Sequence, residues 1–63
     1  MKVVIVGAGE VGTWLARALS ARSFEVVVVD RVAAALEQVD EIADVLTLAG
    51  DVTSRAVLRR AGV

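Results

Sequence analysis

Apolar residues recur along this 63-residue chain in two alternating rhythms. Lys2–Val6 is a β-branched run and predicts a strand. Over Glu10–Ala21 the apolar residues Val11, Leu15, Ala18 and Leu19 follow at steps of four, three and one, which is helical spacing, with Trp14 on the flank of the stripe. Ser23 and Phe24 make a turn. Glu25–Val29 holds four consecutive valines and predicts a second strand. Val32, Leu36, Val39 and Ile42 form a second helical stripe, Asp44–Leu48 a third and weaker strand, and Ala49–Val52 a loop. A last helix carries Val57, Leu58 and Ala61, with Thr53 as its expected cap. Arg59 and Arg60 suit the negative end of that helix, and Gly62 the position just past it.

The order is therefore β-α-β-α-β-α, the pattern of an α/β fold with parallel strands joined by right-handed crossovers. The runs VVIV and VVVV are continuously apolar rather than alternating, which belongs to strands covered by helices on both faces. No linker, repeat or domain boundary interrupts the pattern, and residues 1–63 are expected to form a single unit.

Composition narrows the function. The sequence has no cysteine and no histidine, so it offers no disulfide, no thiolate metal site and no imidazole base. The absence of cysteine suits a reducing compartment. A net charge of −1 gives no electrostatic reason to bind nucleic acid or an anionic membrane. The longest apolar runs fall far short of the ~20 residues of a membrane span. The N-terminal run is short and ends in glycine, unlike a signal peptide. Mean hydropathy is high, +0.72, for so short a chain, which anticipates apolar surface that meets a partner.

The candidate chemistry lies in VVIVGAGEVG, residues 3–12, where a stiff strand runs into glycines spaced G-x-G-x-x-G. A sharp strand-to-helix turn needs a residue free to take positive φ, here Gly7. A diphosphate approaching the backbone requires a position without a Cβ, Gly9, and tight packing of the helix on its strand requires another, Gly12. The first-turn amides, including those of Glu10 and Val11, then point at whatever lies over the turn, and an anion fits there. Asp30 ends the second strand, where a carboxylate can accept hydrogen bonds from ribose hydroxyls and repel a 2′-phosphate. Arg31 beside it can stack on adenine or tolerate extra phosphate. The plain structural alternative is that the glycines only make a tight turn and Asp30 only caps the second helix.

Other residues carry open alternatives. Glu10 is favourable at a helix N-terminus but repels a pyrophosphate, so it points away or reaches a cation held by the phosphates. Asp51 either bonds an adenine amino group or caps the last helix with Thr53. Trp14 is a packing residue or part of an interface. Arg55, Arg59 and Arg60 read as a solvated face.

Taken together, VVIVGAGEVGTWLARALS, VVVVDR and LTLAGDVTSRAVLRRAGV resemble the N-terminal nucleotide-binding lobe of Trk-type potassium uptake regulatory subunits, also called the regulator-of-potassium-conductance domain. The ending, Gly-Asp-x-Thr followed by a short helix closing on Val-Leu-x-x-Ala-Gly, is its most specific part. The resemblance implies a Rossmann-type fold that binds NAD(H), or ATP and ADP, and regulates a membrane potassium transporter from its cytoplasmic side through ring-like assemblies. By position, Gly7, Gly9 and Gly12 would face the phosphates, Asp30 would take the ribose, Arg31 would lie near the adenosine, and Asp51 and Val52 would border the adenine. The family often has a basic or amide residue at position 10, and Glu10 departs from that against a triphosphate.

The family's lobe continues with further strands, whereas this chain stops after three. In the family's strand order the three would lie 3-2-1, with the first strand at an edge. An apolar edge of this kind is a hazard, so residues 1–63 are expected either to be the first half of a longer lobe or to have that edge paired between chains. Homo-oligomerisation through the first strand or the adjacent helix faces, for instance as a six-stranded sheet made by two chains, is therefore anticipated. The competing functions are the cofactor-binding start of an NAD-dependent oxidoreductase of the saccharopine-dehydrogenase type, and a structural fragment without ligand affinity.

Overall fold

Val26–Val29 are all buried, because their strand has a neighbour on each edge and helices over each face. The structure, a computed structural model, describes residues 1–62. Its elements are β1 (Lys2–Val6), α1 (Glu10–Ser20), β2 (Glu25–Asp30), α2 (Ala33–Ile42), β3 (Leu46–Ala49) and α3 (Arg55–Ala61). The sheet runs β1-β2-β3 and is parallel throughout, with Val3 opposite Val26 and Val28 opposite Thr47.

Side chains alternate across a strand, so β2 feeds two cores. Val26 and Val28 join Ile5, Ala16, Leu36 and Val39 under α1 and α2. Val27 and Val29 join Ala61 of α3 on the opposite face, with Val4, Leu48, Val52 and Val57 packed around them. The two crossovers step in one direction across the sheet, which places α1 and α2 on the same face.

The structure corrects three details of the sequence pattern. The first is the buried face of α1. The spacing singles out Val11, Leu15, Ala18 and Leu19, yet Val11 is 74% exposed, Trp14 67% and Leu15 38%, while Ala16 is fully buried. Close approach is the reason: a Cβ on Gly12 would run into the Gly7 carbonyl, so the side facing the sheet holds small residues. Val11, Trp14 and Leu15 are turned outward, while Leu19 packs against the core.

The second is β3, which begins at Leu46 rather than Asp44. Ala43 leaves α2 in an extended conformation and Val45 N–H donates to the Ala43 carbonyl, which keeps these residues out of the ladder. The third is the cap of α3. Ser54, not Thr53, is the N-cap, its hydroxyl accepting from Val57 N–H. Gly62 ends α3 at φ 95°, as a residue past the helix end should.

Candidate functional site at the carboxyl edge of the sheet

The three strands finish level with one another. Gly7 N–H donates to the Val29 carbonyl at 2.8 Å and Gly50 N–H to the Asp30 carbonyl at 3.0 Å, so ladder bonding carries one residue past β1 and β3. The glycine turn, the end of β2 and the 49–53 loop therefore share one edge, the crevice where open α/β sheets bind ligands.

Asp30 ties this edge together. Its Oδ2 accepts from Ala8 N–H at 2.7 Å, inside the glycine turn, and its Oδ1 accepts from Val32 N–H at 2.8 Å, at the start of α2. The Ala8 amide is the main reason its carboxyl sits below the ordinary aspartate value, with the Val32 amide next. Asp30 does help to organise the start of α2, and it also reaches across to the glycine turn. A carboxylate has about four acceptor sites. These two bonds leave capacity for the two donors of a ribose diol.

The glycines of the turn differ in why they are glycine. Gly7 has φ 99°, a conformation that side chains disfavour. Gly12 is pressed against the Gly7 carbonyl. Gly9 has neither constraint: φ is −73°, and a Cβ built there meets nothing within 4 Å. As the N-cap of α1 it also supplies no side-chain bond, where serine or aspartate would. The backbone over Gly9 is thus bare although neither a positive φ nor a close contact requires it. The first-turn amides of Glu10, Val11 and Gly12 have no carbonyl a turn behind them within the helix. Thr13 Oγ1 donates to the Ala8 carbonyl at 3.2 Å and braces the turn from behind.

A recess of about 180 Å³ brings together Val6, Gly7, Val29, Asp30, Arg31 and Val52. That is below the ~300–1,000 Å³ of a complete small-molecule site, and suits one part of a ligand. Glu10 is exposed and, with Gly9, borders a larger groove of about 580 Å³ between α1 and α2. The larger groove holds Gly9 and Glu10 but not Gly7, Asp30 or Arg31, so the two hollows divide the glycine turn between them. Val11 projects outward and Gly12 is taken up in packing. Asp51 lies near Arg31, but its Oδ1 already accepts from Thr53 N–H at 2.8 Å and Thr53 Oγ1 at 2.7 Å. Those bonds, the backbone one foremost, lower its pKa and make Asp51 the organiser of the loop before α3.

Ala8 and Thr13 were not legible as site residues. Ala8 acts through its amide, which any residue supplies, and Thr13 through a hydroxyl bond that only the folded turn creates. Among the described residues no cluster of acidic side chains is arranged to hold a metal ion, and no helix is long and apolar enough to cross a membrane.

This arrangement agrees with the comparison to known proteins, in which the TrkA-N domain family matches residues 3–63. The chain belongs to the TrkA-N domain family. It is similar to a Trk system potassium uptake protein trkA homolog 1 of Methanosarcina mazei, with 43% identity over 95% of this chain. A TrkA homolog of Archaeoglobus fulgidus is 41% identical over 100% of the chain, and TrkA of Haemophilus influenzae 39% over 98%. This TrkA-N chain spans 14% of the length of each of these relatives.

Proposed function

We propose that this TrkA-N chain is a non-catalytic adenine-nucleotide-binding segment, with NAD(H) as its main ligand and ATP or ADP as alternatives, within a cytoplasmic regulatory subunit of a potassium uptake system. The observation that carries the proposal is Gly9: a glycine with no conformational or packing duty, at a helix N-terminus with no side-chain cap, beside a carboxylate that reaches into the same turn. The residues present fit such a ligand. The amides at the start of α1 would receive the diphosphate. Asp30 would hold the ribose diol through its remaining acceptor sites, Arg31 would lie by the adenosine, and Val52 would supply apolar contact to the base. No histidine or cysteine stands in the chain for acid–base or nucleophilic work, and regulation needs neither. The names of the relatives supply the potassium-uptake context, in which nucleotide occupancy would bias a membrane transporter subunit, with the domain working as a homo-oligomer.

The test is calorimetric titration of the chain with NADH, NAD, ADP, ATP and NADPH. The expected result is measurable binding of NADH, weaker binding of NADPH because Asp30 repels the 2′-phosphate, and loss of NADH affinity in Asp30→Ala. Absence of heat with every ligand at millimolar concentration, from a chain that is folded by circular dichroism, would contradict the proposal.

A further inference from the structure

Gly9 is the residue of the glycine turn with the least to hold it. A Cβ built there would meet nothing within 4 Å, and glycine backbone has more conformational freedom than any other. The residues before it are tied to the end of β2: Gly7 N–H donates to the Val29 carbonyl and Ala8 N–H to Asp30 Oδ2. Backbone amides that are to receive a diphosphate bind it best when they are aimed beforehand, because ordering them on binding costs affinity.

Thr13 supplies the anchors that Gly9 lacks. Its Oγ1 donates to the Ala8 carbonyl at 3.2 Å, and its N–H donates to the Gly9 carbonyl at 2.8 Å. The Ala8 carbonyl shares a peptide plane with Gly9 N–H, and the Gly9 carbonyl shares one with Glu10 N–H. Thr13 thus holds both peptide planes that flank Gly9 and sets the directions of the Gly9 and Glu10 amides. The bond from its N–H is the first of the α1 ladder, which any residue except proline makes. The bond from its hydroxyl is of another kind. Within a helix, serine and threonine hydroxyls bond the carbonyl three or four residues back. Ala8 lies five back and outside α1.

We propose that Thr13 is a positioning residue of the nucleotide site, its hydroxyl fixing the peptide before Gly9 so that the bare turn is rigid before a ligand arrives. It acts through the backbone of the turn. Its effect on affinity rests on the nucleotide reading above, whereas its effect on the Gly9 backbone stands apart from that reading.

The test compares the wild-type chain with Thr13→Val, which keeps the side-chain shape and removes the hydroxyl, and with Thr13→Ser, which keeps the hydroxyl. Two quantities are read: NADH affinity by calorimetry, and the backbone order parameters of Gly9 and Ala16 by nitrogen-15 relaxation without nucleotide. In the wild type, Gly9 is expected near the ~0.85 of rigid backbone, and in Thr13→Val it is expected to fall toward the flexible range below about 0.6. Ala16, in the interior of α1, should not change. NADH affinity should fall about three- to tenfold in Thr13→Val, the worth of one net hydrogen bond, and Thr13→Ser should recover most of it. Far-UV circular dichroism confirms that each variant is folded. A Gly9 order parameter that is the same in Thr13→Val as in the wild type would overturn the assignment. So would a loss of order at Ala16 as large as at Gly9, or a Thr13→Ser chain as weak as Thr13→Val. A wild-type chain that binds no NADH would sink the nucleotide reading, and the Gly9 order parameter would still decide whether Thr13 fixes the turn.

Discussion

Gly9 and Gly12 stand three residues apart in one motif, and the structure gives them opposite consequences on substitution. A methyl group at Gly12 would collide with the Gly7 carbonyl, so Gly12→Ala is expected to lower stability by about 1–3 kcal/mol, as overpacking does, visible in the midpoint of urea unfolding. A methyl group at Gly9 projects into open space. Asp30 behaves differently again. Its carboxyl is held below the ordinary aspartate value of 3.8 by amide hydrogen bonds that only the folded chain makes, first from Ala8. The lowered pKa means that folding favours the charged form. This contribution is complete above the ordinary value, declines as pH falls below it, and is gone once pH passes below the folded pKa. Asp51 acts with the same sign through Thr53. Unfolding measured from pH 6 down to 2 should therefore show an acid limb that begins near 3.8 and is shallower in Asp30→Asn. An unchanged limb would mean that the Ala8 bond does not form in solution. The positive φ of Gly7 and the bond from Asp30 to the start of α2 were legible in the residues, because a strand-ending glycine and a strand-ending acid have specific physical uses. The amide of Ala8 was not, since backbone groups are common to all residues.

At the level of elements, α1 is where pattern and structure part. A helical stripe states that apolar residues share a face, not which face meets the sheet. When helix and sheet approach closely, small residues take the inside, and Gly12 and Ala16 do so here. Ala16→Leu is accordingly expected to destabilise by about 1–3 kcal/mol, and Leu15→Ala by much less, although apolar spacing alone would rank leucine as the core residue. Comparison of the two thermal midpoints checks this, and a larger loss from Leu15→Ala would restore the face that spacing indicates. Ser54→Ala should cost α3 about 0.5–1 kcal/mol as a lost N-cap, whereas Thr53→Ala should act on the loop held by Asp51. The strands were more legible than the helices' faces. Valine runs bounded by a glycine turn and an acid leave little choice of register end, while β3, with four residues, was displaced by the turn at Ala43.

For the whole molecule, the Cα radius of gyration is 10.4 Å, close to the ~10.6 Å expected of a compact domain of this length. Three strands and three helices thus close around β2, even though β1 and β3 each keep a free edge among the described residues. The sheet edge that results gathers the Gly7 turn, the Asp30 carboxylate and the Arg31 guanidinium around a recess of about 180 Å³. Family membership was legible because the motifs run the length of the chain, from the glycine turn to the closing helix. The outward apolar face of α1 was anticipated only as excess hydropathy, because exposure is a property of packing and not of composition.

The account turns on why Gly9 is bare, and a side-by-side experiment addresses that directly: NADH titration calorimetry and thermal unfolding of the wild-type chain and Gly9→Ala. A Cβ that meets nothing in the folded chain should lower the unfolding midpoint by only about a few degrees, the modest preference for glycine over alanine at an N-cap, yet occupy the space where the diphosphate approaches and reduce affinity by about tenfold or more. Unchanged NADH affinity in Gly9→Ala would contradict the account, as would a large loss of stability, because Gly9 would then serve the fold and not a ligand.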